Sequence, residues 1–218
     1  MLNLDPSTLI ARVIVLIVAF TIHEFSHALT ADYFGDETPR LNGRLTLNPL
    51  AHLDPLGSLL LLVAGFGWAK PVPINPYALN RRSSAAVALV SFAGPLSNLI
   101  MALLAAIPFR LGLVDLSSAF IASGTSHLLP TLPQLLLTFI EINLILMLFN
   151  LIPLAPLDGE KIAEYFFPPS WSRALDQIRP YGPMILLAVI FVGPLVHLDI
   201  IGWVIGVPMS YLLRLLVG

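Results

Sequence analysis

Five consecutive residues carry the clearest chemistry in the chain: His23, Glu24 and His27 stand in the pattern H-E-x-x-H. On a helix, residues four apart lie on one face, so both imidazoles can reach a single zinc ion. The glutamate then lies beside the ion, where its carboxylate can take a proton from an attacking water molecule. The pattern predicts a hydrolytic site with one zinc ion per chain.

The motif lies near the end of an apolar run, Leu9 to Ala31, that is long enough to cross a bilayer. Two histidines and a glutamate are costly to place in lipid, and such groups usually mark function. The alternative is that they sit at the membrane interface and only form hydrogen bonds. The setting favours the functional interpretation.

The composition predicts a membrane protein. Of the 218 residues, 57% are hydrophobic and 11% are charged, against about 25% charged in a soluble domain. The net charge of −2 provides no basic surface for nucleic acid, so nucleic-acid binding is excluded. Because the chain has no cysteine, any metal must be bound by His, Asp or Glu.

The elements that must position the motif are predicted to be helices in a bilayer. Four further apolar runs follow the first span, and the last two are expected to form a helical hairpin that turns near Asp199. The five predicted spans are Leu9–Ala31, Ser83–Phe109, Leu135–Leu157, Pro180–Leu198 and Ile200–Val217. The apolar run Pro55–Ala69 is only about 15 residues long, and this length favours a re-entrant segment over a full crossing.

We therefore expect an all-α integral membrane protein with about five transmembrane helices, a three-helix catalytic core and a short re-entrant segment. The run Arg40–Asn48 alternates partly and contains Asn42-Gly43, a pair favoured in hairpin turns. It predicts a small β-sheet at the membrane edge. The whole chain, 1–218, is expected to be one domain, with its catalytic core at about 9–160 and the hairpin at about 180–217.

The loop charges predict the orientation of the spans. Five basic residues lie between the first two spans and three between the third and fourth, whereas Arg110 is the only one between the second and third. Basic loops favour the cytoplasmic side. The N-terminus is then outside, the C-terminus is inside, and the motif lies toward the cytoplasm.

A catalytic zinc needs a third protein ligand, and topology selects Asp158. The third histidine of the extended H-E-x-x-H-x-x-G-x-x-H pattern is missing, because Tyr33 stands in its place. Spans one and three run in the same direction, so Asp158 lies at about the depth of the histidines. Pro153 and Pro156 are expected to unwind the end of span three and to present Asp158 from a non-helical turn. Glu141 lies about 25 Å away on a continuous helix and cannot join them; we expect it to reach toward the outer surface or to pair between helices.

Three blocks together resemble the site-2 proteases, which are intramembrane zinc metalloproteases. The first is the H-E-x-x-H motif, the second is Gly94-Pro-Leu-Ser-Asn98, and the third runs from Asn150 to Gly159 and looks like the signature N-x-x-P-x-x-x-L-D-G. No insertion is large enough for a PDZ domain and no extension suits a CBS domain. The resemblance is therefore to the small prokaryotic type.

The resemblance implies roles for particular residues. His23, His27 and Asp158 would be the zinc ligands, and Glu24 would be the general base. Asn150 would lie near the substrate or the developing oxyanion. Two further residues are open: Asn98 contacts either the substrate or a neighbouring helix, and for His52 a solvated loop or a contact to a zinc ligand is preferred to direct binding of zinc.

The implied activity is hydrolysis of peptide bonds within or next to transmembrane helices of membrane protein substrates, as in regulated intramembrane proteolysis. The expected partners are those transmembrane segments and the lipid bilayer, and the expected location is a prokaryotic plasma membrane. Two alternatives stay open: a metal or ion transporter, which usually shows internal repeats that are not visible here, and a non-catalytic relative that binds membrane partners.

Overall fold

The fold was analysed in a computed structural model that describes residues 5–57, 67–122 and 128–218. The described residues form helices and no strands, which confirms the all-α prediction. Four helices are long and apolar enough to cross a membrane, at Pro6–Tyr33, Ala86–Arg110, Leu132–Asn150 and Ser170–Val192. The last predicted span corresponds to a shorter apolar helix, Gly202–Val217.

Helix α1 spans Pro6–Tyr33 and carries the H-E-x-x-H motif in its last third. Its start is capped by Asp5, whose carboxylate accepts from the N–H groups of Ser7 and Thr8 at 3.3 Å. Two one-turn helices follow, α2 at Thr38–Leu41 and α3 at Pro49–His52. The motif is therefore on a continuous helix, as its spacing requires.

The next helices in the chain are α4 at Pro76–Arg82, α5 at Ala86–Arg110, α6 at Leu116–Ala122 and α7 at Leu132–Asn150. Helix α5 continues through Gly94 and Pro95 without interruption. Its other half is rich in alanine, and Ala102 and Ala106 are buried against Ile140 of α7. Small residues allow such helices to approach closely.

Helices α1 and α7 start at the same end of the molecule. Ser7 Oγ of α1 accepts a hydrogen bond of 3.1 Å from Gln134 Nε2 of α7, and Thr8 Oγ1 accepts another. Helix α5 packs against both of them and runs in the opposite direction. The common direction of the first and third spans, on which the choice of Asp158 depends, is confirmed.

The chain leaves helical structure after Asn150 and re-enters it at Asp158, where α8, Asp158–Phe166, begins. The expectation that Pro153 and Pro156 unwind the end of the third span is confirmed. The expectation that Asp158 comes from a non-helical turn is wrong, because Asp158 is the first residue of α8. The first turn of a helix accepts an acidic residue well.

Helix α9 spans Pro169–Ile178, a short 3-10 turn follows, and α10 spans Gly182–Leu187 and continues as a π-helical turn. The last helix, α11, spans Val207–Val217 and also follows a π-helical turn. Helix α11 packs against α5 and α7, with Leu216 in their shared apolar cluster. Whether the segment 180–217 forms a hairpin stays a prediction.

The C-terminus lies at the end of the bundle where α5 ends. Arg110 Nε donates to the carbonyl of Leu216 at 2.9 Å, and Nη1 donates to Gly218 at 3.2 Å. The sequence placed Arg110 outside and the C-terminus inside, so this expectation is wrong. The predicted topology counted both of the last apolar runs as full crossings, whereas the final helix is too short to be one.

The predicted sheet at the membrane edge is absent from the described residues. Within Arg40–Asn48, the pair Asn42-Gly43 ends helix α2: the Asn42 side chain donates to the Thr38 carbonyl at 2.8 Å, and Gly43 has a φ of 66°. Asn-Gly suits left-handed backbone at a helix end as well as in a hairpin. The pattern could not distinguish the two.

The re-entrant prediction for Pro55–Ala69 falls largely on residues 58–66, which lie outside the described residues. The flanks of this segment lie side by side, because Leu53 and Ala69 form an antiparallel β-bridge. The Lys70 N–H also donates to the His52 carbonyl at 2.7 Å.

Candidate metal centre

Three possible metal ligands converge where α1 meets the start of α8. His23 Nε2 and His27 Nε2 are 3.0 Å apart, and each lies 3.2 Å from Asp158 Oδ2. Both histidines are buried, and Asp158 is largely so. The three predicted ligands are thus brought together, across 135 positions in the case of His23 and Asp158.

The far side of each imidazole is held by a hydrogen bond. His27 Nδ1 lies 2.7 Å from the Val90 carbonyl, which can only accept, so this nitrogen carries the proton. His23 Nδ1 lies 2.6 Å from Asn98 Oδ1, whose amide donates to Asn143 Oδ1 at 2.8 Å. Asn143 in turn donates to a backbone carbonyl. All hydrogen bonds in this row therefore run in one direction, and His23 Nδ1 must donate to Asn98.

A cation between the three facing atoms would satisfy all of them at once. With both Nδ1 atoms protonated, each neutral imidazole presents a bare lone pair at Nε2, and both lone pairs meet the Asp158 carboxylate. In a tetrahedral zinc site with bonds of about 2.0–2.1 Å, two ligand atoms lie about 3.3 Å apart. The observed separations of 3.0–3.2 Å are close to this value. Two histidines and one carboxylate therefore fit zinc in type and spacing.

The space beside the ligands exists because residue 94 is glycine. A Cβ atom at Gly94 would lie 2.4 Å from His27 Nε2 and 2.6 Å from His23 Nε2. Any side chain on this face of α5 would fill the place where an ion must sit. Helix α5 thus supplies no ligand, yet it supplies the space and both hydrogen-bond acceptors for the imidazoles.

Glu24 is buried next to the three ligands, and an extended segment holds it. We call residues 67–75 the strap. The N–H of Val72, in the strap, donates to Glu24 Oε2 at 3.0 Å. The strap ends at Asn75, whose N–H donates to the buried Asp36 carboxylate at 2.6 Å. A carboxylate held through one oxygen keeps the other available to accept a proton.

A cavity of about 490 Å³ opens at the ligands and is lined by parts of α1, the strap, α5, α7, α8 and α10. Its walls are largely apolar, with Phe20, Trp68, Phe149 and Leu186 among them. Asn150 is a polar group in this wall, and its Nδ2 donates to the carbonyl of Leu146 at 3.0 Å. The amide has a second N–H, so Asn150 can still donate one hydrogen bond to a bound molecule.

The remaining sequence candidates lie away from the cavity. Asn98 is fully buried behind His23, so its contact is with an imidazole and with α7 and not with a substrate. His52 is the last residue of α3 and is fully buried, and its Nε2 contacts the Thr46 carbonyl at 2.7 Å. Among the described residues, neither His52 nor Glu141 belongs to the metal group or lines the cavity.

Sequence reasoning missed two groups that support the site, the Asn143 side chain and the N–H of Val72. Asn143 is a fully buried polar residue in an apolar span, seven positions before Asn150 and so on a similar helix face. That signal was present. A backbone N–H gives no signal in a sequence, and its partner across 48 positions could not be foreseen.

Together, the spanning helices, the H-E-x-x-H motif and the three-ligand group define a membrane zinc metalloprotease. Relatives of the chain bear the name "Putative zinc metalloprotease": YwhC of Bacillus subtilis is 46% identical over 183 residues, 84% of this chain and 80% of the relative. Rip2 of Mycobacterium tuberculosis is 32% identical over 197 residues, 88% of this chain and 68% of the relative. The chain belongs to the site-2 protease family, and zinc is its cofactor.

A third relative, Rip2 of Mycolicibacterium smegmatis, is 31% identical over 184 residues, 80% of this chain and 64% of the relative. No family model matches the chain. No solved structure matches it either.

Proposed function

We propose that this metalloprotease is an intramembrane endopeptidase that cleaves membrane protein substrates within or next to a transmembrane helix. One observation carries the proposal: two of the three metal-group residues, His23 and His27, and much of the wall of the apolar cavity lie on helices that can span a bilayer. An apolar wall suits a transmembrane segment better than a water-soluble peptide, because binding is stabilised when apolar side chains of the bound segment are buried against the wall.

Each residue of the centre has a defined part in this reaction. His23, His27 and Asp158 would hold zinc, which when bound polarises a carbonyl and lowers the pKa of water. Glu24 accepts the proton of the attacking water and then delivers it to the leaving amine. Asn150 donates a hydrogen bond to the substrate oxygen as negative charge develops on it.

A helical substrate must unwind locally before it is cleaved, because its carbonyls are engaged in its own hydrogen bonds. The cavity is lined by the extended strap on one side and by α7 on the other, which leaves room for an extended segment. The run Arg44–Asn48, which is part of the predicted sheet at the membrane edge, forms no strand and so offers this segment no sheet edge.

We propose that the protein lies in a prokaryotic plasma membrane, as the resemblance to the small prokaryotic type implies, with the active site toward the cytoplasm. The support for this orientation is the charge pattern: the loops at the end of the bundle where the ligands lie carry most of the basic residues.

The test uses the purified chain in lipid vesicles, single-span substrates in the same vesicles, and soluble peptides with the same residues. Wild type is expected to cleave the embedded substrates, with cleavage sites inside or at the edge of the span by mass spectrometry. Glu24→Gln is expected to retain zinc and lose cleavage, and Asp158→Ala is expected to lose zinc.

Two results would contradict the proposal. Equal kcat/KM for the soluble peptides would show that the substrate need not be in the membrane. Cleavage that survives Glu24→Gln would remove the general base from the mechanism.

A further inference from the structure

Arg44 is a buried cation close to the active site that the mechanism does not yet use. Only 4% of the residue is exposed, and within the described chain it has no carboxylate within salt-bridge distance. Its Nε atom is buried and has no hydrogen-bond partner among the described residues. Burial of a guanidinium without a carboxylate is costly, so the contacts that this residue makes in return call for an explanation.

The guanidinium of Arg44 connects α3 to the strap. Nη1 donates to the Ala51 carbonyl and Nη2 donates to the Lys70 carbonyl. The N–H of Lys70 completes the connection by donating to the His52 carbonyl at 2.7 Å. Lys70 is thereby fixed on both sides of its peptide unit, two residues before Val72.

The fixed strap contacts the catalytic carboxylate through Val72. Fixing Lys70 sets the position of the Val72 N–H, which contacts Glu24 Oε2 at 3.0 Å. Pro71 and Pro73 flank Val72 and restrict its backbone to extended conformations. The field of Arg44 also reaches this carboxylate: burial lowers the pKa of the Arg44 guanidinium, and the charge of Glu24 opposes that shift.

We propose that Arg44 is a positioning residue for the general base: it fixes the strap through the Lys70 carbonyl so that the Val72 N–H orients Glu24. This inference rests on the proposed function, since it assigns a support to the residue that moves the proton. Without the contact, the Glu24 carboxylate can rotate away from the ligands while zinc stays bound.

The first arm of the test measures structure and does not depend on catalysis. Because prolines have no N–H, Val72 carries the only exchangeable backbone amide in the segment 71–73. Hydrogen exchange at this amide is expected to be about tenfold faster or more in Glu24→Ala, the size expected for loss of a hydrogen bond to a charged group. Arg44→Gln is expected to give a similar increase.

A matched control is available in the same loop. Arg40 forms an exposed ion pair with Asp32 at 2.6 Å and does not contact the strap. Arg40→Gln is expected to leave exchange at Val72 unchanged. Slow exchange at Val72 in Arg44→Gln would overturn the proposal.

The second arm measures catalysis on a cleaved single-span substrate. Arg44→Gln is expected to lower kcat at least tenfold, with zinc content and KM little changed, and Arg44→Lys is expected to restore part of the loss. Val72→Pro removes the N–H and keeps an extended backbone, whereas Val72→Ala keeps the N–H. Only Val72→Pro is expected to lower kcat.

The double variant Arg44→Gln, Val72→Pro decides between a shared and a separate role. If Arg44 acts through the Val72 N–H, the double variant loses no more kcat than Val72→Pro alone. Losses that multiply, or a zinc content that falls with Arg44→Gln, would overturn the proposal. Absence of cleavage by wild type would contradict the proposed function alone, and the exchange arm would still decide the role of Arg44.

Discussion

Replacement of Gly94 by alanine tests the metal centre through a residue that is not a ligand. The added Cβ would lie 2.4 Å from His27 Nε2 and 2.6 Å from His23 Nε2, about 1 Å inside ordinary contact. Overpacking of this kind costs about 1–3 kcal/mol. If the whole strain opposes metal binding, the zinc Kd rises about 5- to 150-fold. Since the methyl group also occupies the place of the ion, we expect the upper part of this range.

The control is Gly206→Ala, because a Cβ atom at Gly206 meets nothing within 4 Å and its φ is −64°. Alanine replaces glycine at a helical position in both variants, which by itself stabilises by about 0.5–1 kcal/mol. The variants differ only in the clash. Zinc affinity is measured by competition with a fluorescent chelator in detergent. A Gly94→Ala protein that binds zinc as tightly as Gly206→Ala would refute the placement of the ion against α5.

Three further predictions follow from contacts around the centre. Asn143→Ala is expected to raise the zinc Kd about 10- to 100-fold because the support of the His23 imidazole is lost. The control, Ser97→Ala, deletes a hydroxyl bonded within its own helix and is expected to change the zinc Kd little. Equal zinc Kd values for the two variants would contradict the direction of the hydrogen-bond chain through Asn98 and Asn143. Asn150→Ala is expected to keep zinc and lower kcat about 10²- to 10³-fold, as for an oxyanion donor, and a change in KM alone would instead make it a binding residue. Because the chain has no cysteine, single substitutions Leu113→Cys and Gly218→Cys can be labelled with an impermeant thiol reagent, and both are expected to react from the same side of the membrane.

The sequence was sufficient for the parts of the site that depend on local spacing. The H-E-x-x-H pattern places two imidazoles on one helix face whatever the tertiary structure, and the structure confirms that helix. The choice of Asp158 needed only the direction of two spans. Proline spacing also correctly located the unwound segment after Asn150, because proline cannot continue the hydrogen bonding of a helix.

The parts that were not predicted depend on tertiary contacts. Asn42-Gly43 provides left-handed backbone in a helix end or in a hairpin, and only the surroundings decide which one forms. The side of the C-terminus was wrong because hydropathy counts apolar runs and does not show where they pack, whereas Arg110 contacts the carbonyls of the last helix. The support of Glu24 by the strap is a backbone contact, and no side chain type reports it.

The metal centre is built from three helices, α1, α5 and α8, and this has a consequence for biosynthesis. Chains fold largely from the N-terminus as they are made, so α1 and α5 can pair and orient both imidazoles while residue 158 is still in the ribosome. At that stage the site has two ligands, an ordered pocket for the ion, and no carboxylate to hold it. The metal group is therefore complete only when α7 has inserted and α8 has started.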